Sequence, residues 1–320
     1  MMLHWPDRPT ADTASAGFNL HVPDNGYAWW YIDAMSDDGT EGLTIITFVG
    51  SVFSPYYRFA RRNQPVDPMN HCAINVALYR ENGNRWTMTE RGRGHVERSA
   101  TQLSIGPSRV FWDGTALNFE IDEVTAPIPS RIKGRVRVIP RAITQQAFTL
   151  NEDGNHRWWP IAPCSRVEVE LEKPKLRWSG EGYFDMNAGD VPIEHGFTVW
   201  EWSRAALRNG TAILYEAERR DGSRLDLALQ FDKSGAMQMF DFPTLHPLPR
   251  TPWRVSRSAR SQTEAAVVRT LEDSPFYARS MIATTLLGEQ TTLMHESLSL
   301  ERFRMPVVQA MLPFRMPRRR

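Results

Sequence analysis

The sequence predicts an all-β, antiparallel fold with little helix, and three observations carry that prediction. The dominant hydrophobic period is two. Arg166-Val167-Glu168-Val169-Glu170-Leu171-Glu172 alternates cleanly, as do Leu117, Phe119 and Ile121 against Asn118, Glu120 and Asp122. Leu225, Leu227, Leu229 and Phe231 alternate against Asp226 and Gln230. Turn residues punctuate these runs: Asp221-Gly222 separates Ala212–Arg219 from the run beginning at Leu225, which is a hairpin signature. Asn82-Gly83-Asn84 and Asp113-Gly114 are further turns. Leu43–Phe48 and Cys72–Tyr79 have the more continuous apolar character of fully buried strands. The best helix candidate is Gln262–Glu272, with Thr263 as its cap and Leu271 on its apolar face. Many short, regularly punctuated strands point to antiparallel sandwiches or barrels.

At 320 residues the chain accommodates two ordinary domains. A Gly/Pro/Asn-containing stretch, Asn187–Pro192, separates two strand-rich parts. The predicted domains are therefore 1–190 and 191–320, the second ending in a basic tail. A net charge of +1 argues against nucleic acid as a partner. The basic residues are almost all arginine, with lysine only at positions 133, 173, 175 and 233, a bias that fits a GC-rich genome. Two cysteines, Cys72 and Cys164, exclude a disulfide scaffold. Met1–Leu20 lacks the apolar core of a signal peptide, and no window has the ~20 apolar residues of a spanning helix. A cytoplasmic location is expected, with peripheral contact to the inner or photosynthetic membrane as an option.

Several weak motifs carry no chemistry. Gly180-Glu181-Gly182 lacks the third glycine and following helix of a dinucleotide loop. His71-Cys72 has no second pair at zinc spacing and reads as a strand start. Asp37-Asp38-Gly39-Thr40-Glu41 reads as a solvated hairpin turn and not a calcium loop. Arg91-Gly92-Arg93-Gly94 reads as an exposed loop. Neither a metal nor a cofactor is expected. The paired tryptophans Trp29-Trp30, Trp158-Trp159 and Trp200 with Trp202 have two readings, core packing or the lining of an apolar ligand cavity in a barrel.

Two clusters remain: Asn155-His156-Arg157-Trp158-Trp159-Pro160 and Gly182-Tyr183-Phe184-Asp185-Met186-Asn187. In each, residues of interest stand two apart, His156 with Trp158 and Tyr183 with Asp185. On extended strands each pair projects from one face, and the two faces could converge on one cavity. From the residues alone, a turn shaped by Asp185 and Asn187 and a satisfied core histidine at 156 is the preferred reading, with a shared cavity as the alternative.

The stretches Gly26–Tyr31, Phe53–Tyr57, Trp112–Gly114, Gly182–Asn187, Phe197–Arg204, Glu272–Tyr277 and His295–Leu298 resemble the carotenoid 1,2-hydratases, also called hydroxyneurosporene synthases. The likeness runs from about Gly17 to the Arg-rich end. It implies two lipocalin-like β-barrel domains, a fold shared with a group of Diels–Alderases. It also implies a cofactor-free hydro-lyase of carotenoid biosynthesis in photosynthetic bacteria, acting on acyclic carotenoids such as neurosporene and lycopene. The His-x-Trp and Tyr-x-Asp proposed as catalytic in that family match His156, Trp158, Tyr183 and Asp185.

Such a reaction begins by protonating C2 of a terminal C1=C2 bond, leaving a tertiary cation at C1 for water to attack. Asp185 is the expected donor, kept neutral by burial in a hydrocarbon-lined barrel. Trp158 and Tyr183 would offer aromatic faces to the cation. His156 would orient Asp185 or activate water. The basic tail Met305–Arg320, with Arg315, Arg318, Arg319 and Arg320, would contact anionic lipid, or else form a disordered terminus. A non-catalytic carotenoid or lipid carrier, and a pericyclase of the same fold, are the alternatives.

Overall fold

The computed structural model describes residues 17–319; Met1–Ala16, which include most of the segment tested above for a signal peptide, and Arg320 lie outside them. The strands are β1 (Tyr27–Ser36), β2 (Gly42–Val49), β3 (Ala73–Tyr79), β4 (Arg85–Met88), β5 (Glu90–Arg91), β6 (Val96–Arg98), β7 (Gln102–Ile105) and β8 (Ser108–Trp112). They continue as β9 (Leu117–Val124), β10 (Arg131–Pro140), β11 (Phe148–Thr149), β12 (His156–Lys173), β13 (Leu176–Gly189), β14 (Phe197–Leu207), β15 (Gly210–Arg219) and β16 (Arg224–Asp232). The rest are β17 (Met237–Met239), β18 (Thr244–Leu248), β19 (Arg257–Ser261), β20 (Ala266–Asp273), β21 (Tyr277–Leu286), β22 (Glu289–Ser299) and β23 (Arg318–Arg319). Helices are short: α1 (Pro55–Ala60), α2 (Ile193–Gly196), α3 (Leu300–Phe303) and α4 (Pro306–Met311). The all-β, antiparallel prediction with little helix therefore holds. Among the described residues no helix is long and apolar enough to cross a membrane.

The chain forms two compact units, one running to Ile193 and including Ala310 onward, the other Glu194–Gln309. In the first, a curled sheet has the order β4-β3-β2-β1-β13-β12-β10-β9-β8-β7-β6, with β11 added beside β12. Its far strand is drawn back to β9 and β10 by side chains and not by a ladder: Thr87 Oγ1 donates to the Val124 carbonyl at 3.1 Å and Arg85 Nη1 to the Arg131 carbonyl at 2.6 Å. One face of this sheet is the core, where Trp30, Ile32, Val76, Phe119, Val138, Trp159, Val169, Phe184 and Met186 pack together. Pro160 and Pro163 interrupt the β12–β13 ladder, which slips register on both sides of Ala162; proline has no N–H to give a ladder.

Three expectations are corrected here. Gln262–Glu272 is not a helix: Ala266–Asp273 is β20, paired antiparallel with β21, so tertiary pairing overrides the local Ala/Glu/Leu propensity. Arg91 is not in an exposed loop but buried, its Nη2 2.8 Å from Glu123, whose buried carboxylate requires a partner. The C-terminal residues do not form a free basic tail of the second unit. Arg318 and Arg319 pair as β23 with Glu90 and Arg91, and the Arg318 guanidinium meets buried Glu90 and His71. Cys72 and Cys164 are both buried and free.

The second unit is a sheet of order β17-β16-β15-β14-β22-β21-β20 whose apolar face is lined by Ala205, Leu214, Ile282 and Leu293 and covered by Leu248 and Ala259 of the β18–β19 hairpin. The same alternation continues into a polar region. Ser203 Oγ meets His295 Nδ1 at 2.7 Å, His295 Nε2 meets Ser297 Oγ at 2.9 Å, and Ser258 Oγ donates to Glu201 Oε2 at 3.2 Å. Burial, reinforced by the charge of Glu216, pushes the Glu201 carboxyl up to about 7. Burial, with Arg257 nearby, pushes His295 down to about 3.

A raised carboxyl means the native state holds a proton that the unfolded chain has lost. Stability from Glu201 is thus full below its ordinary value of 4.5 and is lost as pH rises to about 7. Glu201→Gln should melt higher than the parent above pH 7, with the gap closing toward pH 4.5. Thermal unfolding across pH 4–9 checks this; a constant offset at all pH values would refute it.

Candidate active site

β13 runs between β1 and β12, and its residues alternate between two buried faces. Phe184, Met186 and Ala188 enter the apolar core. Tyr183, Asp185 and Asn187 point the other way, together with His156 and Trp158 of β12, and all five are buried. The two-residue spacing is thus what brings the four predicted residues together. Their setting differs from the expectation: they lie on the sheet face opposite the hydrocarbon core of the first unit, not inside it.

The geometry converges on one oxygen. Trp158 Nε1 donates to Asp185 Oδ2 at 2.8 Å, and the Tyr183 hydroxyl donates to the same Oδ2 at 2.8 Å. Trp158 stands opposite Asn187 in the ladder, so its indole reaches diagonally along β13 to Asp185. Burial holds the Tyr183 phenol well above its ordinary range, with Asp185 and then Asp33 adding to the effect. Tyr183 is therefore a neutral, permanent donor. Two donors occupy the lone pairs of Oδ2, so the proton of a neutral Asp185 resides on Oδ1. Trp158 and Tyr183 thus meet Asp185 through their polar edges. One face of Trp158 is stacked on Phe148, with centroids 5.3 Å apart, and Tyr183 meets Tyr31 edge-on at 6.2 Å.

The structure adds residues that the sequence reading left out of the site. Tyr27, Tyr31 and Asp33 of β1 stand in register with Gly189, Asp185 and Tyr183. Tyr27 OH meets His156 Nδ1 at 2.8 Å. The signal was present as period-two alternation of polar and aromatic residues from Tyr27 to Asp33, but its meaning depends on which strand lies alongside. Of the other tryptophans, Trp30 and Trp159 are core, whereas Trp29 stacks on Tyr27 at 5.0 Å. Among the described residues no cluster of His, Cys, Asp and Glu has the arrangement of a metal site.

The family model for carotenoid hydratase CrtC matches residues 45–320. The chain belongs to that family. It is 56% identical over 304 residues to the acyclic carotenoid 1,2-hydratase of Thiocapsa roseopersicina, covering 94% of this chain and 75% of that one. It is 52% identical over 308 residues to the enzyme of the same name from Rubrivivax gelatinosus, covering 94% and 76%. The hydratase of Cereibacter sphaeroides is 43% identical over 278 residues, covering 86% of this chain and 98% of its own. Among solved structures, a putative AttH from Nitrosomonas europaea superposes with a TM-score of 0.61 at 14% identity, over 93% of this chain and 98% of that one. Kievitone hydratase from Nectria haematococca gives 0.53 at 9% identity, over 91% and 94%. These two likenesses concern the fold, and family membership rests on the sequence matches.

Removing one of the two donors should weaken Asp185 without unfolding the protein. Tyr183→Phe keeps the ring and deletes one hydrogen bond, which would be worth about 1.5–3 kcal/mol to the carboxylate formed if Asp185 gives up its proton, so turnover should fall roughly 10- to 100-fold. Steady-state kinetics with a melting-temperature control check this. Full activity in Tyr183→Phe would show that the hydroxyl does not serve the carboxyl.

Proposed function

We propose that this protein adds water across the terminal C1=C2 double bond of an acyclic carotenoid such as neurosporene or lycopene, with Asp185 as the acid. Family membership supports the substrate class. The observation that carries the mechanism is the buried carboxyl whose Oδ2 accepts from both Trp158 and Tyr183. In this reading the Oδ1 proton passes to C2, forming the C–H bond and leaving a tertiary cation at C1. The oxygen of a water molecule bonds to C1, and the proton it releases returns to the Asp185 carboxylate. Atoms and charge balance with one carboxyl and no redox step.

The order of events suits the site. Burial disfavours the carboxylate before reaction. The two donors to Oδ2 strengthen as negative charge develops there, so they favour the transition state more than the resting acid. A positioned acid of this kind contributes about 10²- to 10⁴-fold. Purified protein incubated with lycopene in ¹⁸O-labelled water should yield a product one labelled water heavier. Asp185→Asn should give none while still binding carotenoid. Retained turnover in Asp185→Asn would sink the acid assignment, and a cyclised product without added oxygen would favour the pericyclase alternative.

The substrate resides in membranes, so a peripheral contact is part of the proposal. Arg318 is engaged by Glu90, which removes it as a lipid ligand. The apolar residue just before it is the better candidate: Phe314 is 72% exposed, with Arg315 exposed beside it in sequence. Deleting the tail would also remove β23, so point changes are the cleaner test. Phe314→Asp should lower binding to anionic vesicles about tenfold in flotation. Unchanged flotation would exclude this segment as the contact.

A further inference from the structure

The hydration scheme gives His156 no task, and its surroundings supply one. β1 and β12 flank β13, and Tyr27 and His156 both stand in register with the same residue, Gly189. Neighbouring strands are ~4.8 Å apart, so the two backbones are roughly 10 Å apart across β13. Any side chain at 189 would occupy the space between them. A Cβ there would lie 2.3 Å from Tyr27 Cε1 and 2.5 Å from Cζ, closer than packed carbons approach. The Tyr27 ring instead lies over the bare glycine backbone, and its hydroxyl reaches Nδ1 of His156 at 2.8 Å. The two rings are close to parallel, at 27° and 5.9 Å, and Trp29 stacks on Tyr27 at 13°. Tyr27 is 1% and His156 0% exposed, so bulk water does not compete for this bond.

A phenol–imidazole pair has a preferred direction. The bare nitrogen of a neutral imidazole accepts more strongly than a phenol oxygen, and a phenol O–H donates more strongly than an imidazole N–H. The hydroxyl proton therefore points at Nδ1, and the imidazole proton sits on Nε2.

We propose that Tyr27 is a positioning residue that holds His156 in its Nε2–H tautomer, so that His156 serves as a hydrogen-bond donor and not as the base. The inference rests on reading His156 as a member of the hydration site. Gly189 completes the device, because only a residue without a side chain lets Tyr27 span a whole strand. A donor at Nε2 holds the incoming water through one oxygen lone pair and leaves the other directed at C1. The proton that water then loses goes to the Asp185 carboxylate formed in the first step. His156 need change charge at no stage.

Tyr27→Phe keeps the ring over Gly189 and removes only the hydroxyl. Its kcat should fall about tenfold, the effect of one neutral hydrogen bond, with little change in KM. Protonated His156 would place a positive charge beside the C1 cation and oppose its formation, so the acid limb of the Tyr27→Phe pH–rate profile should move to higher pH, since the neutral imidazole has lost the bond that favoured it. In a His156→Gln background the same change should cost nothing more, because the hydroxyl has no imidazole left to hold. In wild-type protein carrying ¹⁵N-histidine, the His156 Nε2 resonance should be that of a protonated nitrogen and Nδ1 that of an acceptor. The opposite assignment, additive losses in the double variant, or a wild-type rate and profile in Tyr27→Phe would each overturn the positioning role. The underlying reading fails by a different result: wild-type turnover in His156→Gln takes His156 out of the site altogether.

Discussion

The arrangement depends on the register of β13 between β1 and β12. A strand has only two faces, and a slip of one residue would send Asp185 and Tyr183 into the apolar core and Phe184 and Met186 out of it. What prevents the slip is the core side. Trp30 and Trp159 lie in the same apolar cluster as Phe184 and Met186, and each large side chain fully buried contributes about 1.5–3 kcal/mol. Misplacing several of these at once costs more than any gain from re-pairing. The apolar half of β13 is thus the reason that its polar half is fixed.

Fixing the polar half makes a buried carboxyl useful. An isolated carboxylate in such surroundings is costly, and a lone neutral acid would transfer its proton to an alkene very unfavourably. In the proposed hydration Trp158 and Tyr183 would change the balance after transfer more than before it, because a hydrogen bond to a charged oxygen is about twice as strong as one to a neutral oxygen. Neither donor must reorganise. Trp158 is held by its stacking on Phe148, and burial keeps the Tyr183 phenol protonated. A pair of donors converging on one oxygen also distinguishes the two carboxyl oxygens, and in the proposed hydration Oδ2 would be the anchored one and Oδ1 the one that gives up its proton.

Much of the fold was legible in the sequence because its signals are local. Alternation at Leu117–Ile121 and Arg166–Glu172 became β9 and β12, and the Asp-Gly pairs at 113–114 and 221–222 became turns, with Gly222 at φ 84°. What failed was decided by distant partners. Gln262–Glu272 has helical composition, but β21 offered it a ladder. Arg91 and Glu123 are far apart in sequence, so nothing local marked them as a buried pair. The site was half legible for the same reason. The two pairs, His156 with Trp158 and Tyr183 with Asp185, follow from spacing within a strand. The contribution of β1 requires knowing that Tyr27, Gly189 and His156 share one line across three strands.

The second unit has the same two-period logic with a different result. Along β14 the residues Glu201, Ser203, Ala205 and Leu207 share one face, and that face grades from a hydrogen-bonded polar network to a hydrocarbon core. In the first unit polar and apolar residues are divided between two faces of a strand; in the second they are divided along one face. Only the first arrangement lets a chemical group be exchanged without touching the core. Residues of one parity in β12 and β13 hold the fold, and those of the other parity face away from it. A frame built this way can keep its architecture while the residues of the second parity change. That is why superposition at 14% identity speaks to the frame, and why the chemistry must be argued from Asp185 and its neighbours.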